Sequence, residues 1–266
     1  MRCANGQKVI KIGAMQQTRH DKAILDHLAT TGAARIDELS SQLSVSAETI
    51  RRALRRLEAG GAVARVHGGV HLRGWGTEAS FVQRMVVNPD RKRRIASRLA
   101  GLIDNGASLF LDVGSTTAFV AQALRNHREL LVVTNSLSVA QTLGGRGGNR
   151  VFMAGGELRP HDGGAFGVEA LAFVRQFRVE HAILSAAALD GRTGFMLNDL
   201  REAEFCRAII DCAELATIAA DGSKFGTFAP VRVAPPEAFG RLVTDEPPTG
   251  ALGALLALHK IEVILA

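Results

Sequence analysis

Cysteine is scarce in this 266-residue chain: Cys3, Cys206 and Cys212 are odd in number and lack the close pairing of a metal site. A disulfide framework and a zinc finger are therefore unsupported, and a reducing compartment, the cytoplasm, is expected. Long apolar runs are missing too. Nowhere do about 18 apolar residues follow one another, and residues 1–14 carry positive charge without a continuous apolar stretch. A membrane span and a secretion signal are both disfavoured; residues 1–14 read as a tail, with Met15 a second candidate start.

What is present is apolar residue content of 47%, enough to build the core of one large domain or two modest ones. The positive charge is unevenly placed. Residues 1–73 carry 12 Lys and Arg against 6 Asp and Glu, whereas residues 74–266 carry 20 of each sign. A compact basic module on a charge-balanced body is the pattern of a segment that meets a polyanion while the rest does something else.

Within the basic module the helical period recurs three times. Ile24, Leu25 and Leu28 mark one apolar face, Ile36, Leu39 and Leu43 a second, and Ile50, Leu54 and Leu57 a third that starts at Ser46 as N-cap and ends at Gly60-Gly61. At 100° per residue, that third trio clusters within roughly 60° and puts Glu48, Arg51, Arg52 and Arg55 on the opposite face. Two helices joined by a tight turn from about Ala34 to Ala53, the second rich in arginine, form a helix-turn-helix. Its second helix enters the major groove, where Arg51 and Arg52 could pair with guanine or phosphate and Ser46 and Thr49 with bases or backbone. The alternating stretch at 62–70 then reads as a short hairpin wing, with Arg65 and His67 near phosphates.

The segment ELSSQLSVSAETIRRALRRLEAGGAVARVHGGV at the heart of residues 19–70 resembles the DNA-binding domain of the DeoR family of bacterial transcriptional regulators. Ala53 stands where that family usually has Asp.

Residues 74–90 mix Gly, Trp75 and polar residues and read as a linker between a winged helix-turn-helix domain at 17–73 and a larger domain at 91–266. The cation run Arg91-Lys92-Arg93-Arg94 reads as a solvated face or a subunit contact. Beyond it, strand-like runs alternate with segments of helical length: SLFLD (108–112), LLVVT (130–134), VFMAG (151–155), HAILS (181–185), ATIAA (216–220), RLVT (241–244) and EVIL (262–265). Such alternation predicts an α/β domain with a largely parallel sheet, whose ligands bind at the carboxyl ends of strands.

Polar residues fall at those ends: Asp112 to Thr117, Thr134-Asn135, Gly155-Gly156, and Asp221 to Lys224. Gly114 lets backbone approach an anion, the hydroxyls of Ser115, Thr116 and Thr117 donate, and the following helix offers free N–H groups and its positive end. Lys224 could supply countercharge. A Gly-Ser-Thr-Thr turn alone also describes an ordinary helix cap; its recurrence with polar residues at several strand ends favours a pocket. His127, His161 and His181 are isolated, so no nucleophile triad, metal set or cofactor motif is proposed from spacing.

This half resembles the DeoR C-terminal sensor domain, similar in fold to ribose-5-phosphate isomerase-like enzymes, through DVGSTT, VTNS, AGGELR, GAFGVEA, LREAEFCRAII and DGSKFG. The resemblance implies sugar-phosphate contact by Asp112, Gly114, Ser115, Thr116 and Thr117, with Thr134, Asn135, Gly155, Gly156, Glu202 and Lys224 around the same pocket. Gly222 replaces a usual Ser, and Ser185-Ala186-Ala187 a stretch usually richer in Gly. The expected protein is a repressor of carbohydrate-metabolism genes, without a cofactor, working as a dimer or tetramer on double-stranded operator DNA and controlled by a phosphorylated sugar. The alternative is a sugar-phosphate isomerase with a regulatory DNA-binding domain, for which Asp112, Glu202 and Lys224 have the required chemistry.

Overall fold

The computed structural model describes residues 18–31, 33–66, 69–72 and 80–266. The chain divides into two compact units, Met1–Trp75 and Gly76–Ala266. Among the described residues no helix is long and apolar enough to cross a membrane.

The first unit contains α1 (Arg19–Thr31), β1 (Ala33–Arg35), α2 (Ile36–Gln42), α3 (Ala47–Ala59), β2 (Val63–Val66) and β3 (Gly69–Leu72). Of the nine apolar residues predicted, Ile24 and Leu28 from α1, Leu39 from α2, and Ile50, Leu54 and Leu57 from α3 are buried, closed off by Val63 and Val70, while Leu25, Ile36 and Leu43 pack half-buried against them. The turn between α2 and α3 is tight because Ser44 takes a left-handed φ of 52°, and Ser46 Oγ caps α3 by accepting from Thr49 N at 3.2 Å. Gly60 ends α3, and Gly61, at φ 72°, turns the chain into the wing. The wing is larger than the two-stranded hairpin expected, because β1 pairs antiparallel with β3 and gives the order β1-β3-β2. Ala53 is fully buried, so a carboxylate at that place would need a buried partner.

The second unit opens with α4 (Phe81–Val86) and α5 (Pro89–Ala100). Residues 80–90 are thus folded into it rather than linking the units: Ser80 Oγ caps α4, and Phe81 N donates to His161 O at 2.9 Å. The cation run is not simply a solvated face. Lys92 is buried, with Nζ donating to Arg84 O and Val87 O at 2.6 and 2.8 Å, and burial pushes its ammonium down to about 8. Arg91 and Arg94 pair with Asp245 at 3.4 and 3.3 Å.

All seven predicted strands form one parallel sheet: β4 (Ser108–Leu111), β5 (Leu131–Thr134), β6 (Arg150–Met153), β7 (Val179–Ser185), β10 (Ala213–Ala219), β12 (Arg241–Thr244) and β13 (Glu262–Leu265). Their order is β13-β12-β10-β7-β4-β5-β6. Side chains alternate across it, so Leu109 and Leu111 join the cluster under α5, α6 (Ser115–Ala123) and α7 (Leu137–Leu143). Phe110 joins the cluster under α8 (Val168–Val174), α9 (Leu200–Asp211) and α10 (Gly250–Leu258). Burial on both faces explains why the inner strands read as continuous apolar runs, whereas the edge strands β6 and β13 are only partly covered. A small antiparallel sheet, not anticipated from sequence, joins β8 (Ala188–Asp190), β9 (Gly194–Leu197) and β11 (Val231–Arg232) in the order β11-β9-β8.

From β4 the chain proceeds outward one way, to β5 and β6; from β7 it proceeds the other way, to β10 and β12. The crevice between the carboxyl ends of β4 and β7 is therefore the topological switch point, where sheets of this kind bind ligands.

Candidate functional site

Asp112, Asn135 and the N-terminus of α6 meet beside that switch point. Asp112, directly after β4, is fully buried; its Oδ2 accepts from Cys206 Sγ at 3.7 Å and its Oδ1 has no partner among the described residues. Burial pushes its carboxyl up to about 7, even though the nearby Val113 backbone amide and the charge of Arg159 pull the other way. Asn135, after β5, is also fully buried: its Oδ1 accepts from Val113 N at 3.1 Å, while its Nδ2 lacks a partner among the described residues.

Between them begins α6. Its first intrahelical bond runs from Ala118 N to Gly114 O, so the amides of Ser115, Thr116 and Thr117 have no partner within the helix, and Gly114 supplies no side-chain cap. Ser115 and Thr116 are nearly buried beside them. Gly114 is obligatory here through close approach, since a Cβ would overlap the hydroxyl of Ser185 at the end of β7.

Other predicted residues serve the scaffold. Thr117 was expected to offer its hydroxyl to an anion, but Oγ1 donates to Gly114 O at 3.0 Å. Thr134 Oγ1 is spent on Leu111 O at 2.6 Å and on accepting from Ser136 N at 3.0 Å. Gly155 and Gly156 are exposed after edge strand β6, with β5 between them and β4. Glu202, on α9, is buried and bound to Arg159 Nη2 at 2.6 Å. Lys224 lies in the turn after β10, with β7 between it and β4, and its side chain makes no hydrogen bond or ion pair among the described residues. The unusual Gly222 beside it is explained by Glu246, whose side chain fills the space a Cβ would need.

Sequence reasoning missed Arg159. This buried guanidinium lies 4.3 Å over the Phe166 ring and bridges Glu202 to Asp162, with Nε donating to Asp162 Oδ1 at 3.0 Å. Its only sequence signal is the AGGELR stretch, read for its glycines; the partners that matter lie 3 and 43 residues away.

On the first unit, Glu48, Arg51, Arg52 and Arg55 are exposed on one side of α3, as expected. Glu48 holds two of the arginines, Arg55 Nη2 at 2.8 Å and Arg51 Nη1 at 3.6 Å, whereas Arg52 has no ion pair among the described residues. Ser46 Oγ and Thr49 Oγ1 lie 2.9 Å apart at the start of α3. Arg65, on β2, reaches back to Arg51 O at 3.0 Å. His67 lies outside the described residues.

Residues 19–73 match the DeoR-like helix-turn-helix domain and residues 87–246 the DeoR C terminal sensor domain. The glycerol-3-phosphate regulon repressor of Escherichia coli is 36% identical over 251 residues, covering 94% of this chain and 100% of its own. The HTH-type transcriptional repressor CsqR of the same organism is 35% identical, covering 93% of this chain and 94% of its own. A ribose 5-phosphate isomerase from Methanocaldococcus jannaschii overlaps 52% of this chain and 55% of its own at 16% identity and a TM-score of 0.38, too partial a likeness to carry an argument. With both units matched in order and relatives matched almost end to end, the chain belongs to the DeoR family of transcriptional regulators.

Proposed function

We propose that the protein is a transcriptional repressor that binds operator DNA through α3 and the wing, and that a small phosphorylated sugar or polyol bound at the α6 N-terminus sets its DNA affinity. The observation that carries this reading is the pairing of two buried, unpartnered groups, Asp112 Oδ1 and Asn135 Nδ2, with the uncommitted amides of α6. Buried polar atoms without partners cost free energy unless something fills them. A carboxyl oxygen and an amide N–H suit ligand hydroxyls, which both donate and accept, and the helix end suits a phosphate. The name of the glycerol-3-phosphate repressor relative supports the same ligand class.

The ligand must bind one conformational state better than the other, since equal affinity would shift nothing. Helix-turn-helix proteins read half-sites about 34 Å apart as symmetric oligomers. Assembly through the second unit is supported by its surface: all nine large apolar side chains exposed among the described residues, Val82 and Leu200 among them, lie there. Turnover of the ligand is less well supported, because Glu202 is engaged by Arg159 and Lys224 stands two strands from Asp112.

The test is a thermal-shift screen of phosphorylated pentoses, hexoses and sn-glycerol 3-phosphate, repeated with operator DNA at stated salt. A saturable gain in Tm that Ser115→Ala weakens and that changes DNA affinity supports the reading. A screen in which no compound shifts Tm overturns it, and interconversion of any compound restores the isomerase alternative.

A further inference from the structure

We propose that the ion-pair chain Glu202–Arg159–Asp162–Arg84, buried up to its last member, carries the state of the pocket to α4, the helix that follows the segment joining the two units; this rests on the reading that the pocket beside α6 takes the effector.

At its pocket end the chain is tied to both residues that carry the orphaned atoms, through Asp112 Oδ2 and the main-chain O of Asn135. Helix α9 presents Glu202 and Cys206 one turn apart: the Cys206 thiol donates to Asp112, while Glu202 holds Arg159. Arg159 sits on the loop between β6 and α8, and that loop is stitched to the backbone around Asn135. Ala165 N donates to Asn135 O at 2.9 Å, and Leu137 N donates to Gly163 O at 3.2 Å. A ligand that engages Asp112 and Asn135 thus acts on the Arg159 loop through a side-chain route and a main-chain route. An anion arriving there also competes with Asp162 and Glu202 for the Arg159 charge.

Asp162 is the hub. Its buried carboxylate accepts from Arg159 and from Gly164 N at 3.1 Å, and it lies 3.6 Å from Arg84 Nη2 on α4 and 3.7 Å from His161 Nε2. Losing or redirecting the Arg159 contact changes what Asp162 offers Arg84.

Helix α4 is built to respond. None of its residues is fully buried, Met85 alone packs partly against the core, and Val82 and Val86 are 73% and 74% exposed on one face. Polar straps hold it instead: Phe81 N to His161 O at one end, Lys92 Nζ to Arg84 O and Val87 O at the other, and Arg84 to Asp162 between them. A helix with little buried apolar surface opens locally at low cost, so a change in one strap moves its population measurably.

Hydrogen exchange on the full chain tests this, with sn-glycerol 3-phosphate as one probe and inorganic phosphate as the minimal anion. In wild type a probe should protect the 115–118 amides and change exchange across 81–87 by about fivefold or more, the low end of allosteric coupling. In Arg84→Gln the 115–118 protection should persist, which shows the variant is folded, while the α4 response disappears; Arg84→Lys should restore part of it. A probe-induced α4 response of wild-type size in Arg84→Gln overturns the relay, as does protection at 115–118 without any α4 response in wild type. If neither probe protects 115–118, the pocket reading itself falls and takes the relay with it.

Discussion

Gly114 and Ser185 meet across the switch point so closely that a Cβ on Gly114 would lie 3.1 Å from Ser185 Cβ and overlap its hydroxyl. The φ of Gly114 is extended and suits any residue; proximity alone demands glycine. Gly114→Ala should push the start of α6 away from β7, cost about 1–3 kcal/mol by overpacking, and remove the ligand-induced gain in Tm. Ser185→Gly, added to it, should return both. Wild-type ligand response in Gly114→Ala alone would show that the cradle does not depend on this contact.

Asp112 makes stability depend on pH in the opposite sense to an ordinary ion-paired carboxylate. Burial raises its folded pKa from 3.8 to about 7, so the folded state holds a proton that the unfolded state has released. Its contribution is fully present below pH 4 and declines as pH rises through 7. Wild type without ligand should therefore lose Tm between about pH 4 and 7 relative to Asp112→Asn, which has no carboxyl to ionise, and level off above pH 7. Parallel Tm curves for the two proteins across that range would refute the assignment.

The sheet was legible because its inner strands are covered on both faces and so read as apolar runs, with the edge strands β6 and β13 keeping the same apolar composition, and the candidate site was legible where polar residues interrupt those runs. Asp112, Gly114 and Asn135 were found in this way. The strands β8, β9 and β11 were not, being only two to four residues long, although Leu189, Phe195 and Leu197 are buried in the core that includes α9 and α10. Thr117 and Thr134 look in sequence like free hydroxyls, but their partners are carbonyls fixed by the fold. Arg159 illustrates the limit best, since nothing local distinguishes it from a surface arginine until α9 brings Glu202 against it.

In the first unit, Asp21 is almost fully buried and accepts from Arg56 Nη2 at 2.8 Å and Nε at 3.3 Å, and from Thr18 N at 3.0 Å. Burial alone would raise its carboxyl; the hydrogen bonds from Arg56 and Thr18 outweigh that and hold it below its ordinary value. The stabilisation is present above the ordinary carboxylate range and fades as pH falls through the depressed value. Asp21→Asn should weaken protection of the α3 amides at pH 7, by about 1–3 kcal/mol, with the gap to wild type closing toward pH 3. A constant gap at all pH values would locate the effect elsewhere.

The arginines of α3 should separate by salt dependence. Arg52 is unpaired among the described residues, whereas Glu48 restrains Arg51 and Arg55 in the protein without DNA. If Arg52 meets phosphate, Arg52→Ala weakens operator and random DNA alike and lowers the slope of log K against log salt by about one. If Arg51 reads a base, Arg51→Ala costs about 1–3 kcal/mol on the operator and little on random DNA. Glu48→Gln releases both restrained guanidiniums, so it should raise affinity for random DNA and steepen its salt dependence. Titrations of the three variants at several salt concentrations distinguish these outcomes, and a Glu48→Gln protein with unchanged random-DNA affinity would mean that the pairs contribute nothing to partner choice.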